Sequence, residues 1–183
     1  LALVAAGTLA VVGTVERGPR APAEGTGGET RRTEVVSVHG LDFERLATDR
    51  QRGCDPPHAV GEIEAFLSEY GCEDLRRSSL RTTVDGSPVA VSVAAVSFAD
   101  DADTTAFRDL AETPGTGTFA DPAAEGDRWP GDTPDFADAA FRTALRDHTV
   151  MLVLADTPDD ASTANGQAAV RAAEAALAVP LEG

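Results

Sequence analysis

One stretch restricts the fold more than any other: residues 75–110, LRRSSLRTTVDGSPVAVSVAAVSFADDADTTAFRDL. Leu80, Thr82 and Val84 alternate with Arg77, Ser79, Arg81 and Thr83, the period of two that sends successive side chains to opposite faces of a strand. Asp85-Gly86 follows, a dipeptide that accepts the positive φ of a two-residue hairpin turn. Val89, Val91 and Val93 then line one face of a second strand, with Ala90, Ser92 and Ala94 on the other. The apolar phase slips between Val93 and Val96, which predicts a β-bulge. Asp100 or Asp101 opens a helix with Ala102, Ala106, Phe107 and Leu110 on its apolar face.

A shift of 61 positions returns the pattern. Leu80, Arg81, Thr82 and Val84 fall on Phe141, Arg142, Thr143 and Leu145, and Val89, Val91 and Val93 fall on Val150, Leu152 and Leu154. Asp101 falls on Ser162, which opens a last helix through Val170, Ala173 and Leu177. Two such units, with a helix between the cysteines, predict an α+β fold of order α-β-β-α-β-β-α and a ββα duplication. The expected assembly is a four-stranded antiparallel sheet covered by helices on one face. Its second turn, Asp147-His148, lacks glycine and is expected to be longer or bulged. Residues 35–46 begin with a short strand, VVSV, and continue as a weakly amphipathic segment through Leu41, Phe43 and Leu46.

The N-terminal region divides the chain. Residues 1–15, LALVAAGTLAVVGTV, are apolar or small throughout. As a helix they measure about 22 Å, against a hydrocarbon core of about 30 Å. The chain does not begin with Met, and the segment is expected to start upstream. It reads as an uncleaved single-pass anchor or as a signal peptide, the former leaving the domain at the cell membrane and the latter secreting it. Residues 16–33 combine Gly, Pro and charge without apolar periodicity, a flexible linker. Residues 34–183 are then the extracytoplasmic α+β domain, long enough for a core without metal.

Cys54 and Cys72 are the two cysteines, and in an exported domain they are expected to pair. Val60, Ile63, Phe66, Leu67 and Tyr70 between them follow helical spacing to a stop at Gly71. A bridge holds its Cα atoms about 5.5 Å apart, so this helix must start late, near Val60, with residues 54–59 running back along it. The alternative use of these sulfurs, with His58 and His39 as metal ligands, matches no strong zinc spacing.

The net charge of −16 argues against nucleic acid, whose phosphates require an excess of Arg or Lys on one face. It argues equally against docking on anionic lipid, which leaves the N-terminal segment as the one membrane contact. No phosphate loop, nucleophile elbow, zinc-helix or dinucleotide motif occurs, so neither catalytic residue nor cofactor is assigned. Gly115-Thr116-Gly117 reads as a loop turn, and Asp100, Asp101 and Asp103 as helix capping rather than calcium ligation. His148 reads as a solvated turn residue.

Two features remain as candidate binding elements. If both hairpins turn their apolar faces to the helices, Arg77, Arg81, Arg142 and Arg146 share the opposite face, beside Ala90, Ser92, Ala94, Met151 and Val153. That face would suit a peptide, a small anionic ligand or an envelope protein partner, or a dimer contact. The second is a long Gly/Pro/Asp-rich insertion, residues 113–137, which carries the single tryptophan, Trp129. Loops of that length are functional or disordered.

FLSEYGCEDLRRSSLRTTVDGSPVAVSVAAVSF, PGTG and AFRTALRDHTVMLVLAD together resemble exported domains of actinobacterial membrane-anchored proteins of unknown function. The resemblance covers residues 54–177 and implies a structural scaffold without catalytic residues. The expected function is a non-catalytic binding or accessory domain of the cell envelope. An envelope-acting enzyme with its site near residues 113–137, or a structural stalk domain, are the alternatives.

Overall fold

Three two-residue reversals organise the chain, opened by His39, Asp85 and Asp147 with φ of 51°, 51° and 50°. They close three hairpins: β1 (Glu34–Val38) with β2 (Leu41–Arg52), β3 (Asp74–Val84) with β4 (Ser87–Ser97), and β5 (Ala140–Arg146) with β6 (Thr149–Asp156). The computed structural model describes residues 34–54, 58–158 and 163–181. The apolar head, the linker, Pro56-Pro57 and the Asp159, Asp160 and Ser162 approach to the last helix lie outside the described residues. The Asp147-His148 turn keeps two residues, because aspartate tolerates the left-handed region that glycine was expected to supply.

The sheet has six strands in the order β1-β2-β3-β4-β6-β5, all antiparallel, where four were expected. The additional pair is β1-β2. Strand β2 spans Leu41–Arg52 and carries a register shift between Arg45 and Ala47. That bulge explains its weakly helical appearance: an extra residue turns a period of two into the spacing of Leu41, Phe43 and Leu46. The bulge expected in β4 does not exist, for β3 and β4 pair residue for residue from Asp74↔Ser97 to Val84↔Ser87.

Strand β4 changes apolar phase for a different reason: both of its faces are buried. Val89, Val91, Val93 and Ala95 pack with Met151, Val153 and Ala155 against Ala168, Ala169, Ala172, Ala173 and Ala176 of α4 (Thr163–Ala176). Ala94 and Val96 pack with Val150 and Leu152 against Ile63 and Leu67 of α1 (Glu62–Tyr70) and Phe107 and Ala111 of α2 (Asp101–Ala111). Helices therefore cover both faces of the sheet, not one. The core is assembled from Val and Ala, and alanines on α4 let the helix approach the valine surface closely.

Parity also decides which face each residue of the pattern expected at a shift of 61 occupies. In the β4-β6 ladder Val93 faces Val153 and Val91 faces Ala155, so residues of equal parity share a face. A shift of 61 is odd and exchanges the faces. Val89, Val91 and Val93 meet α4, whereas Val150 and Leu152 meet α1 and α2.

The cysteines are joined as expected, Cα to Cα 5.3 Å, and the helix between them starts at Glu62. The bridge ties the end of β2 to the start of β3, beside the Gly53 N–H donated to the Glu73 carbonyl at 2.8 Å. A disulfide is the bond of an oxidising, extracytoplasmic environment. No described helix is long and apolar enough to cross a membrane. Replacing Cys54 and Cys72 together by Ser is expected to cost about 3 kcal/mol, the chain-entropy value for a loop of this length. Urea unfolding of the pair variant against the oxidised parent measures it, and an unchanged midpoint would show that the bridge does not stabilise the fold.

Candidate functional site

The long insertion is ordered, and buried polar groups of the sheet hold it. After α2 the Thr116 hydroxyl donates to the Leu110 and Thr113 carbonyls. The Thr116 carbonyl accepts the Glu62 and Ile63 N–H groups at 2.7 and 3.1 Å, which caps α1 where Gly61 has no side chain to do so. Gly117 has φ 111°, and a Cβ there would lie 1.9 Å from the Val60 carbonyl oxygen, so only glycine fits this crossing. The chain then forms a single bridge, Ala59 with Phe119, and reaches the sheet at Ala120.

Two anchors on β3 receive it. Arg77, only 2% exposed, donates to the Ala120 carbonyl at 2.6 Å, pairs with Asp49 at 2.8 Å and meets Glu125 at 3.0 Å. Glu125 in turn contacts His58 Nδ1 at 2.9 Å. Two positions along β3, the Ser79 hydroxyl donates to Asp121 at 2.7 Å. The other Asp121 carboxylate oxygen accepts the N–H groups of Ala123 and Ala124, capping the short helix α3 (Pro122–Glu125), and the Trp129 indole N–H at 2.8 Å. A carboxylate at 7% exposure with four donors is fully satisfied. Through it the sheet fixes the position of Trp129, whose ring also lies 6.4 Å from that of Phe136.

Beside Trp129 none of the described elements covers the sheet, and an open groove of about 710 Å³ results. Its floor follows the ladder Val35↔Glu44↔Arg81↔Ala90 across four strands. Asp42, Thr83 and Pro88 line the floor toward the hairpin turns, and Trp129, Pro130, Asp132, Pro134 and Pro158 form the wall. Arg81 is ion-paired with Glu44, and Asp42 accepts the Ser37 hydroxyl. Asp156 continues the same row beyond Ala90. Burial pushes its carboxyl above the ordinary value, the Thr157 N–H partly offsets this, and Asp135 and Asp138 add repulsion.

The structure thus brings together two of the five candidate binding residues, Arg81 and Trp129. Arg77 lies on the same face but is buried and consumed in holding the loop. Arg142 and Arg146 lie on the opposite face, where Arg142 meets Glu174 at 3.1 Å and Arg146 donates to the Leu177 carbonyl at 2.7 Å. The expected common arginine face does not form, because positions 61 apart differ in parity and the ladders put Arg142 opposite Val153 on the α4 face. Met151 and Val153 lie in the α4 core.

His148 contacts Asp101 at 3.1 Å, and Asp100, not Asp101, caps α2. The metal alternative loses its thiolates to the disulfide. Among the described residues no group of three or more His, Cys, Asp or Glu is placed to hold a metal. Asp121 and Ser79 escaped the sequence reading, although Asp121-Pro122 is a helix-start signal, an N-cap before proline. Glu44 and Asp42 were unreadable as groove residues because β2 was not recognised as a strand. No family model, curated protein or solved structure matches the chain.

Two outcomes are expected. Arg77→Met should cost about 3 kcal/mol, the lower end of the range for breaking a buried pair because Asp49 and Glu125 keep some hydration; chemical denaturation measures it. The same variant should shift Trp129 emission to the red as the loop loosens, and unchanged stability and emission would contradict the anchoring role. For Asp156, the native state holds its proton more tightly than the unfolded chain. The stability it contributes is therefore present below the ordinary value of 3.8 and declines as pH rises through the raised native value. Asp156→Asn should remove that decline, so its melting temperature gains on the parent as pH rises above 3.8; parallel melting curves across pH would expose the opposite trend.

Proposed function

We propose that the domain is a non-catalytic binding module of the cell exterior, with its ligand seated in the groove between Arg81 and Trp129. One observation carries this reading: a buried carboxylate and a buried guanidinium hold an otherwise irregular loop so that Trp129 stands over an uncovered part of the sheet. Binding sites of 300–1,000 Å³ with an aromatic wall and a few polar groups follow this pattern. An ordered wall also lowers the entropy cost of capture. The disulfide supports the exterior location, and the apolar residues 1–15 with their linker support a single-pass tether to the cell membrane, with secretion as the other possibility. The resemblance to exported actinobacterial envelope proteins agrees with both.

A structural stalk would have no use for such a groove. An envelope-acting enzyme is the second reading, favoured by the position of the groove beside the insertion; Asp42, Glu44 and Asp132 would then be its acid-base groups. Its mark is turnover of an envelope polymer that is lost on Asp132→Asn.

The single tryptophan makes the binding reading measurable. Peptides selected from a random displayed library against the protein are expected to shift Trp129 emission. By calorimetry they should lose roughly tenfold in affinity, about 1.4 kcal/mol, on Trp129→Ala. Selected peptides that bind this variant as tightly as the parent, with the parent's Trp129 emission unmoved, would place binding elsewhere and sink the groove reading.

A further inference from the structure

The groove is acidic, and its acidity is organised. Its lining holds three carboxylates, Asp42, Glu44 and Asp132, against one guanidinium, Arg81, a formal balance of −2. The ion pair with Glu44 already neutralises Arg81, so the side chain that sequence alone offered to an anion is engaged. Asp42 and Asp132 remain on two sides of the groove, one on the β2 floor and one on the loop wall. Next to Ala90 in the same row, Asp156 feels the charges of Asp135 and Asp138, so negative charge continues beyond the lining. An anionic ligand would enter against this field, and against the net −16 of the whole chain.

Shape adds to charge. From Val35 to Ala90 the floor crosses three strand intervals, about 14 Å at ~4.8 Å each, which is about four residues of extended peptide at ~3.3 Å. Pro88 on the floor and Pro130, Pro134, Pro158 and Trp129 in the wall are rigid apolar surfaces that receive the stems of long side chains. A tryptophan among carboxylates is also a favourable setting for a guanidinium or ammonium group.

We propose that the groove takes an extended, basic peptide segment of a partner protein, whose Arg or Lys side chains turn toward Asp42 and Asp132 while their stems lie along Trp129 and the prolines. The inference rests on the groove being the binding site and assigns the chemical class of what fills it. Affinity then falls with salt and depends on two particular carboxylates rather than on net charge.

The test uses three octapeptides of Ala and Pro that carry Arg, citrulline or Glu at the same alternating positions, measured by calorimetry and by Trp129 emission. The Arg peptide is expected to bind and shift the emission, with the citrulline and Glu peptides at least about tenfold weaker. The pair Asp42→Asn with Asp132→Asn should weaken the Arg peptide by roughly tenfold or more. The pair Glu64→Gln with Glu69→Gln, an equal loss of charge on the exposed side of α1, should leave its affinity within about twofold. Equal weakening by both pairs overturns the proposal in favour of diffuse attraction. Tight binding of the citrulline or Glu peptide with a Trp129 response overturns the cationic class while the groove reading stands. Spermidine binding as tightly as the Arg peptide replaces the peptide by a small cation. No binding of the Arg peptide overturns the cationic-peptide proposal, while the groove reading stands or falls with the library-selected peptides.

Discussion

Strand β4 is buried on both faces, and the rest of the fold answers that constraint. Positions 89 to 96 are all buried, so the strand needs a sheet neighbour on each side and a helical layer above and below. The alanine surface of α4 covers one face, and α1 and α2 cover half of the other. Small side chains make this possible on the α4 face, where valine and alanine predominate around Phe43, whereas Phe66, Phe98 and Phe107 gather where α1 and α2 meet.

The uncovered half of the second face is where function concentrates. There β2 and β3 present Asp49, Arg77, Ser79 and Arg81, too polar to lie under an apolar helix. The chain instead covers part of it with a loop that brings its own polar partners, Ala120, Asp121 and Glu125. Each buried charge finds a counter-charge or a full set of donors, the condition on which burial of such groups depends. Beyond that seal the loop stands off the sheet, and the space between is the groove. Trp129 is therefore placed by the same carboxylate that closes the core.

Local chemistry was legible in the residues. Asp85-Gly86, the alternation in β3, the capped helix after β4, and the disulfide around a late-starting helix all depend on neighbours in sequence. What escaped depended on pairing. The bulge in β2 gave Leu41, Phe43 and Leu46 a helix-like spacing, and its charges at Asp49, Arg50 and Arg52 concealed a strand that β3 completes. Without β2, neither Glu44 as the partner of Arg81 nor Asp49 as the partner of Arg77 had a place. The phase change in β4 was legible, but its cause was not: burial on two faces and a bulge leave the same apolar pattern.

Sequence by itself determined the local elements, the turns, the disulfide loop and the prominence of Arg81 and Trp129, because propensity, capping and periodicity act within a few residues. Tertiary structure alone decided which faces those elements share. The antiparallel ladder between β4 and β6 joins residues of equal parity, so Arg81 and Arg142, 61 positions apart, fall on opposite sides. The same ladder geometry, with Asp121 reaching back to Ser79, set Arg81 and Trp129 across one groove, although 48 positions separate them in the chain.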